Sequence, residues 1–202
     1  MEQDIEKVLV PRQHIASRLD ELAEMIIADL NREAARVTSG GAASGGAASG
    51  GLEITLVPIL TGSIIFVSDL IRRLPIRMQI RVMSVTSYPG KSTASRGASV
   101  EAALTRIPES LAGRHVLVID DILDSGNTLR ACLGLLRERN PASLKSCVLL
   151  RKQRPEAMSF PVDYVAFDIP DEFVVGYGLD FDDYYRNLPE IVTLKPDVVA
   201  KV

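Results

Sequence analysis

The stretch Val116–Leu129, VLVIDDILDSGNTL, brings three acidic side chains and a run of small polar ones to the end of an apolar segment. Val116, Leu117, Val118 and Ile119 have the character of a buried strand, expected to end at Asp120 and Asp121. Asp124, Ser125, Gly126, Asn127 and Thr128 follow as a strand-to-helix loop. Its backbone N–H groups can converge on a phosphate, and the dipole of the next helix favours the anion. Ser125 and Thr128 can add hydroxyl donors. The paired carboxylates repel such an anion and suit instead the hydroxyls of a ribose, which are donors that acidic oxygens accept well. The segment is thus fitted to hold a sugar by its hydroxyls and its 5′-phosphate together. An ordinary helix cap explains one acidic residue here, not three.

Elements able to position this loop alternate along the chain. Residues 54–60 form a short apolar run, and 63–73 have helical spacing with a basic end. Strands are predicted over 76–84, 116–119, 146–150 and 164–167, and a helix over 128–139. Near-continuous apolar strands alternating with helices imply an α/β domain: a mostly parallel central sheet covered on both faces, binding ligands beyond the carboxyl ends of its strands. Upstream, Ile15, Leu19, Leu22, Ala23, Ile26, Ile27 and Leu30 recur with a helical period, with Arg18 and Glu21 on the polar face. They predict one long amphipathic helix over 12–36, packed across the sheet.

The chain of 202 residues is expected to form one domain with a real core. Its 47% hydrophobic and 24% charged residues fit a soluble globular protein, and a net charge of −3 argues against a partner held by bulk charge, such as nucleic acid. Cys132 and Cys147 form no CxxC pair, and His14 and His115 are distant from them in sequence, so two buried reduced thiols are expected rather than a zinc site. The first residues lack a basic stretch followed by an apolar one, and no apolar run approaches the ~20 residues of a membrane helix. A cytoplasmic location with no membrane partner is the expectation.

Two segments stand apart. Residues 38–51 repeat Gly-Gly-Ala-Ala-Ser, with nothing large enough to bury, and are expected to be a flexible linker. No lysine follows the glycines as a phosphate-binding P-loop requires. Residues 85–110 are polar, small and basic, including Ser87, Tyr88, Lys91 and Arg96, and are expected to form a mobile lid that excludes water from a site.

The 116–129 segment resembles the PRPP-binding motif of type I phosphoribosyltransferases, almost without gaps. Downstream, IPDEFVVGYGLD (169–180) with Tyr185-Arg186 resembles the hypoxanthine-guanine branch, and Leu60-Thr61-Gly62-Ser63 and Ser87-Tyr88 look like its pyrophosphate loop and catalytic lid. The resemblance implies the family's single-domain fold, with a small hood over the sheet, and transfer of phosphoribose from PRPP to a 6-oxopurine: hypoxanthine, guanine or xanthine. It further implies that Asp120 and Asp121 hold the ribose hydroxyls, that Asp124 accepts the proton of purine N7, and that Ser125, Gly126, Asn127 and Thr128 cradle the 5′-phosphate. Leu60, Thr61, Gly62 and Arg186 would hold pyrophosphate, with a cis peptide at Leu60–Thr61, and Ser87 and Tyr88 would close over it. Lys152 would donate to the 6-oxo group, Phe173 stack on the purine, and the Val174 backbone read its edge. Arg151 is an alternative donor, since neighbours on a strand face opposite ways. Asp180 would bind Mg2+, with Asp120 and Asp121 acting on the ion through substrate, and a homodimer or homotetramer is implied.

Two residues depart from the family pattern. Thr61 stands where many members have Lys or Arg, and Asp120 where many have Glu. An alternative of another class is a sensor of PRPP or nucleotides that keeps this fold. That role needs a basic face or an added recognition domain, and it leaves Asp124 and Lys152 idle.

Overall fold

A computed structural model describes residues 1–39, 53–84 and 107–200. The chain runs β1 (Ile5–Val10), α1 (Arg12–Ser39), β2 (Glu53–Leu60), α2 (Ile64–Ile71), β3 (Arg77–Ile80), β4 (Met83–Ser84), β5 (His115–Leu123) and α3 (Asn127–Arg137). It continues through β6 (Ser143–Lys152), α4 (Pro155–Met158), β7 (Tyr164–Ile169), β8 (Ile191–Leu194) and α5 (Pro196–Val199). The main sheet has the order β3-β2-β5-β6-β7, with β4 also on β2, and every pairing in it is parallel.

Side chains alternate across the sheet because a strand points successive residues to opposite faces. Leu56, Leu117, Ile119 and Leu149 pack with Leu19, Leu22 and Ile26 of α1 and with Phe66 and Leu70 of α2. Val57, Val116, Val118 and Val148 meet Leu129, Cys132 and Leu136 of α3 on the other side. Both cysteines are free and buried, as expected, and burial pushes the Cys132 thiol up to about 12. Truncating one such leucine to alanine typically costs about 2–5 kcal/mol.

Three boundaries differ from expectation. The segment 76–84 is two strands: the Arg81 N–H donates to Leu56 O at 2.9 Å, and pairing with β2 resumes at Met83. Strand β5 does not end at Asp120 but runs on to Leu123, because Asp120, Ile122 and Leu123 still have partners on β6. At the close of the expected lid, Ile107 is buried against Leu111, and Arg139 Nη1 donates to its carbonyl at 3.0 Å; residues 107–110 belong to the packed body.

Two features lie away from the main core. The hood is a small antiparallel sheet of β1 and β8, whose Val192 and Leu194 pack with Val175 and Leu188. At the amino-terminal end of the sheet, Lys145 Nζ reaches both Asp29 (2.9 Å) and Glu33 (3.0 Å) of α1, and the Tyr164 hydroxyl donates to Asp29 at 2.7 Å. The Lys145 and Tyr164 hydrogen bonds hold the Asp29 carboxyl down at about 2.

Candidate active site

The chain leaves β2 toward β3 on one side, while β5, β6 and β7 extend to the other. Strand order therefore reverses between β2 and β5, and such a switch point opens a crevice at the carboxyl ends of the strands. From β2 this crevice receives Leu60, Thr61 and Gly62, with the Leu60–Thr61 peptide cis as the resemblance implied. Gly62 lies directly on the Asp121 carboxylate: a Cβ there would stand 2.6 Å from Asp121 Cγ and overlap Oδ2. Gly178 in turn leaves no room for a Cβ against the Gly62 carbonyl. Buried Ser63 ties the loop back by donating to Ile59 O at 2.5 Å.

From β5 come Asp120 and Asp121. Burial, then the adjacent Asp121 charge, holds the Asp120 carboxyl well above the usual carboxylate range. Burial also raises Asp121, against hydrogen bonds from its surroundings and the nearby Arg186 charge. The Asp121 N–H donates to Asp120 Oδ1 at 3.1 Å, and the Ile122 N–H to Asp121 Oδ1 at 2.9 Å. Hydroxyl donors from a ligand would favour the charged forms. Beyond them Gly126 adopts φ 77°, a left-handed turn that glycine takes freely, and a Cβ on it would meet the Phe160 ring at 2.5 Å. Helix α3 starts at Asn127, whose N–H donates to Ser125 Oγ at 3.4 Å. Ser125, Gly126, Asn127 and Thr128 thus surround a helix amino terminus, where unpaired N–H groups and the dipole favour an anion.

Asp124 stands past the end of β5, opposite the end of β6. Lys152 Nζ lies 3.7 Å from Asp124 Oδ2 and 3.4 Å from Asp171 Oδ1. Arg151, the alternative donor, points elsewhere, donating twice to Asp168 at 2.6 and 3.0 Å. Two residues not singled out from sequence complete the group: Arg154 Nη1 lies 2.5 Å from Asp124 Oδ1 and its Nε 3.5 Å from Asp171 Oδ2. The result is a ring of two carboxylates alternating with two cations. Asp171 sits within a motif already quoted, while Arg154 has no sequence signal beyond a positive charge two residues after Lys152.

The segment following β7 forms the remaining side. Phe173 is half exposed and meets Phe181 edge to face with centroids 5.5 Å apart, while Val174 is buried. Arg186 Nη1 bonds Asp180 Oδ1 at 2.8 Å and the Gly178 carbonyl at 2.9 Å, and its Nη2 reaches Asp183 at 3.0 Å. The Asp183 N–H caps the second Asp180 oxygen at 2.9 Å. Among the described residues no group of three His, Cys, Asp or Glu could hold a metal ion. Ser87 and Tyr88 lie outside the described residues.

A parallel sheet whose switch point carries paired carboxylates, a small-residue loop at a helix amino terminus and a glycine loop pressed against the carboxylates defines a class. The chain belongs to the phosphoribosyl transferase domain family, whose model matches residues 13–182. Within it, the chain is 42% identical over 195 residues to a hypoxanthine-guanine phosphoribosyltransferase of Mycobacterium avium, covering 96% of this chain and 88% of that protein. It is 36% identical over 200 residues to the enzyme of the same name from Streptococcus pneumoniae, 99% of each. A hypoxanthine phosphoribosyltransferase structure from Trypanosoma cruzi, in complex with the product IMP, superposes with a TM-score of 0.74 at 32% identity, covering 98% of this chain and 95% of that one. Among the described residues no helix is long and apolar enough to cross a membrane.

Proposed function

We propose that this protein transfers the 5-phosphoribosyl group of PRPP to a 6-oxopurine base, giving a nucleoside 5′-monophosphate and pyrophosphate. One observation carries the choice of base: Asp124 Oδ2 and Lys152 Nζ present an acceptor and a donor side by side, 3.7 Å apart. A 6-oxopurine carries the complement on one edge, N7–H beside the O6 acceptor. A lysine has only donors, so an amino group at C6 is disfavoured. Phe173 is exposed enough to stack on the ring, and the half of the site under Ser125–Thr128 suits the 5′-phosphate.

In the reaction the bond from ribose C1′ to pyrophosphate breaks, a bond from C1′ to purine N9 forms, and Asp124 takes the N7 proton. Asp120 and Asp121 hold the ribose hydroxyls, and their oxygens stabilise positive charge building on the sugar. Arg186 and the backbone at Thr61 and Gly62 receive pyrophosphate. The donor set suits magnesium, a hard ion commonly shared between one carboxylate and substrate phosphates: Asp180 would hold it, with Asp120 and Asp121 acting through substrate. When bound, the ion neutralises charge on the leaving group. Closure of Ser87 and Tyr88 over the site, cytoplasmic residence and assembly as a homodimer or homotetramer complete the proposal.

A coupled assay with PRPP and hypoxanthine, guanine, xanthine or adenine tests it. Turnover of 6-oxopurines but not adenine is expected, and turnover of adenine alone would overturn the assignment. Light scattering tests the assembly.

A further inference from the structure

We propose that Arg154 is a positioning residue for Asp124, holding one carboxylate oxygen so that the other stays turned to the purine edge. This rests on Asp124 being the proton acceptor. Arg154 contacts Oδ1 at 2.5 Å, and Oδ2 is the oxygen on the Lys152 side. The root of the arginine is fixed. Its N–H donates to Lys152 O at 2.8 Å, its carbonyl accepts from the Met158 N–H at 2.9 Å, and Pro155 restricts it to the extended form seen, φ −118° and ψ 147°.

The ring's distances show what the arginine does. An exposed ion pair adds little to stability, so the arrangement matters chiefly as geometry. Lys152 and Asp124 are 3.7 Å apart, beyond a direct hydrogen bond. With Arg154 on Asp124 and Asp171 on Lys152, neither partner needs the other, and both remain available to a base that inserts between them. Without Arg154, the strongest remaining cation for Asp124 is Lys152. The two would then close on each other and withdraw acceptor and donor together.

Steady-state kinetics with hypoxanthine and PRPP varied separately test this on wild type, Arg154→Met, Arg154→Lys, Asp124→Asn and the double variant Asp124→Asn/Arg154→Met. Arg154→Met should lower kcat/KM for hypoxanthine by ~10-fold, a fraction of the factor a placed general base supplies, with the KM for PRPP unchanged. Arg154→Lys should recover most of the loss. In the Asp124→Asn background Arg154→Met should cost nothing further, because residues acting as a unit are not additive. Full activity in Arg154→Met, or the same loss with and without Asp124, overturns the positioning role. Full activity in Asp124→Asn instead overturns the acceptor assignment beneath it.

Discussion

Gly62→Ala is the smallest change that strikes both halves of the site. The added methyl would lie 2.6 Å from Asp121 Cγ and overlap Oδ2. Carbons at rest stand about 3.5–4.0 Å apart, so the Asp121 carboxyl or the glycine loop must yield by about 1 Å. Gly178 stands close enough to the Gly62 carbonyl that a Cβ on it would lie 2.1 Å away, which limits how far the loop can yield. The carboxylate therefore moves, and with it the ribose contact proposed for Asp121. Misplacing a reacting group by about 1 Å costs ~10²-fold, so kcat/KM for PRPP should fall by that order. The coupled assay measures it, and a melting curve checks that the variant is folded. A folded Gly62→Ala protein with kcat/KM within twofold of wild type would refute the placement of Gly62 against a working Asp121.

Asp124→Asn should retain PRPP binding and lose about 10²-fold or more in kcat, read by single turnover, since an amide cannot act as the proton acceptor proposed for Asp124. Lys152→Gln should raise the KM for base and leave that for PRPP unchanged; equal rises in both would move Lys152 out of the purine pocket. Asp120→Asn should trade activity for stability. A carboxyl whose folded pKa is raised favours the folded state below its unfolded value of about 3.9 and loses that advantage as pH rises through the folded pKa. The variant should melt above wild type at about pH 8 and together with it at about pH 4, and an equal difference at both would contradict burial as the cause.

The chemistry of 116–129 was legible because its parts are local: three acids, a glycine and a helix start lie within fourteen residues. The long first helix was equally plain, its Ile15, Leu19, Leu22, Ile26 and Leu30 all buried as the period required. Strands β1 and β8 could not be read individually. They are short, β1 is mostly solvent-facing, and each is defined by a partner more than 180 residues away. Register hid in the same way. Only the pairing of β6 with β7, Arg151 opposite Asp168, reveals which of two adjacent cations faces the crevice. Arg154 escaped because a charge beside a proline resembles any surface charge until Asp124 is seen beside it.

The lysine at the far end of the sheet has a consequence for the catalytic end. An apolar helix stripe repeats every turn, so α1 could ride up or down by one turn, about 5.4 Å, and still bury leucines. Lys145 meets Asp29 and Glu33 together at only one of those settings, which makes it a gauge for the axial height of the helix. The helix follows β1 with only Pro11 between them, and β1 carries β8. Height set at Lys145 is thereby delivered, across the whole length of α1, to the hood, against whose core pack Phe181 and Tyr185, the chain neighbours of Asp180 and Arg186.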